Sequence, residues 1–297
     1  MPDLTHIQAR LAALETQNQA ITQALLEQLI KQDYQAQFSA DFVTQTCQQF
    51  ELSAVDLALH CLPLAACYAL VPVSNFYVGA VAIGQSGNFY FGANQEFAGE
   101  AMQQTVHAEQ SAVGHAWLAG EKGLNHIVVN YTPCGHCRQF LNELNSASSL
   151  QIHLPHSQNN QLHSYLPDAF GPKDLNVAKV LFDPQEHHLN LTNSDPLVQA
   201  ALQAANQAYA PYSQALSGLA LEVGNQIITG RYAENAAFNP SFLPLQAALN
   251  YRRLQGLSDL PIKRAVMVEK QAVLSHAKMA RSLLKEFGVE LEYYAVE

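Results

Sequence analysis

His107-Ala-Glu109 and Pro133-Cys134-Gly135-His136-Cys137 are the residues of this chain best suited to chemistry. They offer one imidazole and two thiols of the kind that bind zinc, and one carboxyl that the ion does not need. A structural zinc site closes the metal with four protein ligands, whereas a catalytic one keeps a position open for water. Three ligands, His107, Cys134 and Cys137, with Glu109 two residues beyond the first, therefore favour chemistry over a staple. Two thiolates and a neutral imidazole neutralise Zn²⁺, and zinc lowers the pKa of a bound water to roughly 7. Glu109 is close enough in sequence to take a proton from that water and hand it to a substrate nitrogen. General acid/base work of this kind is worth about 10²–10⁴ in rate. A lone Cys-x-x-Cys could equally be redox or structural, and a lone His-x-Glu says almost nothing; the combination carries the inference. His136 reads as a surface residue at a helix start. His60, His115 and His126 read as core or surface histidines, and His187-His188 as part of a solvated loop.

Both motifs need helix starts to position them. The pattern predicts a helix from Val106 to Leu118, with Ala112, Val113, Ala116 and Trp117 on its apolar face and Gly120 as its stop. It predicts a second helix opening at Cys134, with Phe140, Leu141 and Leu144 at core spacing. Free N–H groups and the helix dipole favour anions there, which lowers thiol pKa and helps cysteines bind metal as thiolates. Upstream, Tyr77–Ile83 and Asn88–Phe91 flank Gly84-Gln85-Ser86-Gly87 as a hairpin. Short strands are expected at Ile127–Val129 and Gln151–Leu154. Helices are expected over 5–31, from Asp41 as N-cap to Phe50, and from Ala54 to Ala69 with Pro72 beyond its end. Residues 155–195, rich in Pro, Asn, Asp and His, read as a connector with little core. The alternation of strands and helices implies an α/β unit.

The chain also carries an internal duplication. Ala69, Pro72, Ser74 and Gly79 face Ala208, Pro211, Ser213 and Gly218; after one skipped residue, Gly92, Glu96, Ala98 and Val128 face Gly230, Glu234, Ala236 and Val266. In this register His107 faces Leu245, Glu109 faces Ala247, Cys134 faces Ala272 and Cys137 faces Ser275. The second copy is expected to keep the fold, lack metal and serve packing, so one Zn²⁺ per chain is expected. The same register sets Phe76 against Ala215 and Asn94 against Tyr232. Glu234 reads as retained for a structural hydrogen bond.

Bulk properties narrow the partners. The 297 residues suffice for two domains, and 48% are hydrophobic. A net charge of −10 disfavours nucleic acid, whose non-specific binding draws on phosphate neutralisation. Arg252, Arg253, Lys263 and Arg264 read as an ordinary solvated face. Five cysteines in a long chain argue for a reducing compartment; Cys47, Cys61 and Cys67 read as small buried hydrophobes. No secretory signal and no run of about 18 apolar residues is seen, so a cytoplasmic protein without a membrane partner is expected.

The paired motifs resemble the zinc-dependent nucleoside and nucleobase deaminases, a class already known by this pattern. Nearly the whole chain is similar to the long, dimeric bacterial cytidine deaminases. The matching segments include Ser74–Gly79, Tyr90–Glu96, Thr105–Gln110, Tyr131–Gln139 and Tyr232–Asn239. The resemblance implies two three-layer α/β/α deaminase-like units per chain and an N-terminal helical segment. The limits would be 1–50 for that segment, 51–155 for the catalytic unit, 156–192 for the connector and 193–297 for the metal-free unit. It implies hydrolysis of cytidine and 2′-deoxycytidine to the uridines with release of ammonia, in pyrimidine salvage, by a homodimer. By the same resemblance Phe76 packs on the pyrimidine, and Asn94 and Glu96 hold ribose hydroxyls. The backbone around Ala108 and Thr132 reads the base edge, and Phe170 closes the pocket of a neighbouring subunit. A deaminase of nucleotides or polynucleotides is the nearest alternative, but only Arg138 stands beside a motif to meet phosphate. A zinc-stabilised nucleoside binder is the non-enzymatic one, and it has no need of Glu109.

Overall fold

The computed structural model describes residues 3–297. Helices α1 (Asp3–Ala12), α2 (Gln19–Lys31), α3 (Ala40–Phe50) and α4 (Ala54–Ala66) come first, with strand β1 (Gln37–Phe38) between α2 and α3. The apolar periodicity over 5–31 thus belongs to two helices. Asn18 caps the second by accepting from the Ile21 N–H, so the chain re-enters helix with a new start. Ser39, not Asp41, caps α3, and Ser53 with Asp56 forms a reciprocal capping box on α4. The N-terminal segment is not purely helical. Phe38 is buried, and its two-residue strand joins the first sheet beside β3, too short a strand to announce itself by alternation.

The first sheet continues with β2 (Gly79–Gly84), β3 (Phe89–Ala93), β4 (Leu124–Val129), β5 (Gln151–Leu154) and β6 (Ser157–Gln161), in the order β1-β3-β2-β4-β5-β6. Helix α5 (Ala108–Leu118) follows β3, and α6 (Gly135–Leu141) follows β4. Strand β2 is buried throughout. Its Val81 and Ile83 belong to the core under α4, while Ala80 and Ala82 belong to the core under α5. Alternate residues of one strand thus serve opposite faces, and the unit has three layers.

Residues 155–195 are more ordered than their composition implies. They hold β6 and the short helix α7 (Leu162–Tyr165), and bury Leu162, Leu181 and Phe182 in the first unit's core. Few apolar residues suffice there because β6 takes its hydrogen bonds from β5.

The second unit comprises α8 (Pro196–Asn206), β7 (Ser217–Val223), β8 (Gln226–Arg231), α9 (Pro244–Leu254), β9 (Ile262–Lys270), α10 (Ala277–Lys285) and β10 (Leu291–Val296). Its strand order is β10-β9-β7-β8, and it too has a core on each face of the sheet. Pairing bears out the duplication in the sheets: Gly79↔Ala93 repeats as Gly218↔Arg231, and Val81↔Val128 as Ala220↔Val266. It corrects the duplication at the helices. The bridge Gln95↔Val106 recurs as Ala233↔Phe242, so His107 is matched by Leu243 and Glu109 by Leu245. The loop before α9 is two residues shorter than the one before α5, a change that a surface loop absorbs at little cost. Likewise α10 starts at its cap His276, not near Ala272.

Arg252 and Arg253 are not a solvated face. Both are buried, Arg252 on the carbonyls of Ser258 and Leu260, Arg253 on those of Tyr68 and Ala69 and on the Asp3 carboxylate. Arg253 ties the N-terminal helix and the turn after α4 to the second unit. Arg264 pairs with Asp195 and Glu292. Cys61 and Cys67 are buried as expected, and Cys47 is half-buried. Among the described residues no helix is long and apolar enough to cross a membrane.

Glycine sets the distance between α5 and its sheet. A Cβ on Gly92 would stand 2.2 Å from the Ala112 nitrogen and 2.4 Å from the Ala108 oxygen; one on Gly230 would meet Ala248 and Pro244 of α9 in the same way. Overpacking of this kind costs about 1–3 kcal/mol. Gly92→Ala and Gly230→Ala are both expected to lower the melting temperature. Only Gly92→Ala is expected to weaken zinc retention as well, because α5 begins at His107, an expected ligand, and α9 at Leu243. Melting curves with metal analysis check this, and equal zinc loss in both variants would refute it.

Candidate metal centre and its pocket

Two helix starts make the centre. His107 is the N-cap residue of α5 and Cys134 that of α6, whose first turn contains Cys137. His107 Nδ1 lies 3.4 Å from each sulfur, and the sulfurs lie 3.3 Å apart. All three donor atoms fall within 4.8 Å of one another, and no other such cluster occurs among the described residues. A tetrahedron with zinc bonds of about 2.0–2.3 Å has edges of roughly 3.3–3.8 Å, so the spacing suits zinc. Protonation supports this. The Cys134 thiol is held down at about 3, chiefly by its side-chain hydrogen bond with Cys137. The Cys137 thiol is pushed up, first by the same hydrogen bond and then by burial. A divalent cation bound to these sulfurs would displace thiol protons. His107 is raised, first by its hydrogen bond with Cys134.

Glu109 stands beside this cluster without belonging to it. It is 4% exposed, and its Oε2 lies 3.2 Å from Cys137 Sγ. Burial is the main reason its carboxyl sits above the ordinary range. His136 departs from its reading as a surface residue: it is half-buried and its ring stacks on His107, centroids 4.4 Å apart. The spacing of the motif hid this, because only the turn into α6 folds the ring back. His115 is fully buried against the Phe91 carbonyl, which suits a core histidine.

Phe76, Asn94, Glu96 and Thr132 lie where the start of β2 meets the ends of β3 and β4. Asn94 bridges a loop, accepting from the Val78 N–H and donating to the Phe76 carbonyl. Glu96 accepts from the Val73 and Ser74 N–H groups and from the Ser74 hydroxyl. Burial pushes the Glu96 carboxyl up, but these hydrogen bonds outweigh it and hold the group below the usual range. Glu234 makes the same backbone contacts to Tyr212 and Ser213, which bears out its structural reading. Phe76 is 49% exposed and packs on Tyr131, a partner that sequence reasoning missed. Ala108 is buried at the first position of α5, and Thr132 is exposed two residues before Cys134. Phe170 is exposed, while its carbonyl is pinned by Gln139 and Asn142 of the α6 segment. Arg138 spends its guanidinium on the Pro133 and Tyr165 carbonyls.

The second unit fills the corresponding space. Tyr232 stands where the first unit has Asn94, and its ring lies 4.0 Å from that of His276, the cap of α10. His276 is buried and paired with Glu269 at 2.8 Å. An aromatic pair thus replaces a polar side chain and a thiolate.

Comparison with known proteins places this arrangement among the zinc-binding deaminases. The family described as "Cytidine and deoxycytidylate deaminase zinc-binding region" matches twice, over residues 53–152 and 162–281. The cytidine deaminase of Actinobacillus succinogenes is 66% identical over 95% of both chains. That of Haemophilus ducreyi is 65% identical over 100% of this chain and 99% of its own. That of Actinobacillus pleuropneumoniae serotype 5b is 63% identical over the whole of both. The chain belongs to the cytidine deaminase family, and its cofactor is zinc.

Metal analysis of the purified protein is expected to find one tightly held zinc per chain, lost in Cys137→Ala. Two equivalents held with equal affinity would contradict a metal-free second unit.

Proposed function

We propose that this chain hydrolyses cytidine and 2′-deoxycytidine to uridine and 2′-deoxyuridine with release of ammonia, a step of pyrimidine salvage. The membership of its family and the cluster of His107, Cys134 and Cys137 support the reading, and the buried Glu109 carboxyl beside that cluster carries it. His107, Cys134 and Cys137 would hold the zinc, which when bound would lower the pKa of a water. Hydrolysis adds water at C4 of the base, protonates the ring nitrogen beside it, and breaks the bond to the exocyclic amine. Glu109 takes one proton from the water and gives it to that nitrogen, then takes the second from the hydroxyl now on C4 and passes it to the amine, which leaves as ammonia. A carboxyl held above its ordinary range by burial suits a group that must both accept and release a proton.

The pocket residues follow. Phe76 stacks on the pyrimidine, Asn94 and Glu96 bind the ribose hydroxyls, and the backbone at Ala108 and Thr132 reads the base edge. Arg138 is committed to carbonyls, which leaves no cation of the motif for a phosphate and favours free nucleosides over nucleotides or strands. The exposed aromatics Phe76, Tyr131, Phe170 and Phe238 favour a homodimer in which Phe170 closes the neighbouring pocket. The division into a catalytic unit over 51–155 and a metal-free unit over 193–297 belongs to the same reading, as does a cytoplasmic location.

Loss of cytidine absorbance, followed with zinc quantified per chain, tests the activity. Glu109→Ala is expected to keep zinc and fold and to lose turnover by at least about 10²–10⁴; turnover within about tenfold of the parent would remove the proton-transfer role. Mixed dimers test the subunit arrangement. A Glu109→Ala chain and a Phe170→Ala chain, each poorly active alone, are expected to recover activity together, because the site with intact Glu109 then receives Phe170 from its neighbour. Activity that stays at the parental level would show that Phe170 acts within its own chain.

A further inference from the structure

One fully buried amide of the metal-free unit reaches across to the catalytic side. Asn250, on α9, accepts at Oδ1 from Gln95 Nε2 at 2.6 Å and from the Ser111 hydroxyl at 2.5 Å, and its Nδ2 donates to the Ser111 carbonyl at 3.0 Å. Each partner leads to the proposed pocket. Gln95 lies between Asn94 and Glu96, and its backbone is zipped to Val106, the residue before His107. Ser111 sits one turn into α5, donates its N–H to the His107 carbonyl, and accepts from the Ala93 N–H beside Asn94. The Asn250 side chain therefore ties the loop of Asn94 and Glu96 to the helix that starts at His107.

The tie runs in one direction only. The bridges and helix caps match Gln95 with Ala233, Ser111 with Ala247, and Asn250 itself with Gly114. No side chain at those matched positions can form a hydrogen bond, although the two helices pack against each other as a pair. Buried polar groups are costly unless satisfied, and here every one is satisfied toward the catalytic unit.

We infer that Asn250 is a positioning residue through which the metal-free unit sets the place of the sugar-binding loop relative to the metal helix. The inference rests on the proposed ribose contacts of Asn94 and Glu96. Its consequence is selective: loosening the tie harms recognition of the sugar hydroxyls more than it harms handling of the base. Small misplacements from a distant mutation can cost about a hundredfold in rate.

The test compares cytidine with 2′,3′-dideoxycytidine, which lacks the secondary sugar hydroxyls, in the full-length protein with its zinc. In Asn250→Ala, kcat/KM for cytidine is expected to fall about ten- to a hundredfold, mostly through KM, while that for the dideoxy compound falls much less and zinc content holds. The preference for cytidine therefore shrinks. Gln95→Ala removes the same tie from the other side, leaves α9 untouched, and is expected to shift the preference in the same direction; it decides the matter if Asn250→Ala does not fold. A parent that deaminates cytidine, with both nucleosides falling by equal factors or neither falling in these variants, overturns the inference alone. A parent inactive on cytidine overturns the proposed function and this inference with it.

Discussion

Everything at the centre depends on two helices starting within ligand distance of each other. His107 and Cys134 occupy the cap positions of α5 and α6; the His107 side chain makes no cap bond, while the Cys134 sulfur accepts from the Cys137 N–H in the first turn of its helix. The imidazole and the two sulfurs lie within 4.8 Å of one another, a spacing that suits a shared cation. The sheet meets that requirement by fixing both starts. Strand β4 delivers the chain to Cys134, and Gly92 lets α5 lie against β3 at a distance that no side chain would permit. Metal, helix and sheet are therefore parts of one constraint, and loosening any of them loosens the rest.

The second unit shows what the fold keeps when that constraint is lifted. Strand registers, paired glycines and the carboxylate that cups the loop after the first helix all survive, because each meets a backbone requirement. The ligands do not. Leu243 and Leu245 replace His107 and Glu109, and Tyr232 with His276 fills space that the first unit leaves polar. A site without its ion has no reason to keep unsatisfied donors buried, so it closes on itself.

The two units are nevertheless joined by buried polar contacts. Glu143, next to α6, is fully buried and accepts from the hydroxyls of Tyr209 and Tyr212 and the N–H of Ala236. Asn235 donates to the Gln139 carbonyl, and Gln110 to that of Pro240. Both helices of the candidate metal centre are thus braced from the second unit. Its retention is understandable as support for α5 and α6.

The sequence by itself determined which residues gather at the centre: His107, Cys134 and Cys137, the glutamate that stands beside them, and the duplication whose second copy lacks them. These were legible because ligand types and local spacing are dictated by the metal, and because glycine and turn positions keep their register across a repeat. The hairpin, β5 and the starts of α5 and α6 were legible for the same local reasons. What only the tertiary structure decided depends on contacts far apart in the chain. The break between α1 and α2, the strand at Phe38, the burial of Arg252 and Arg253 and the stacking of His136 on His107 leave no periodic trace. The two-residue slip before α9 lies in a loop, where length is free to vary, so sliding one half of the sequence on the other could not detect it. Asn250 is the clearest case: a polar residue inside a helix gains its meaning only when a partner helix supplies Gln95 and Ser111, and no local rule connects them.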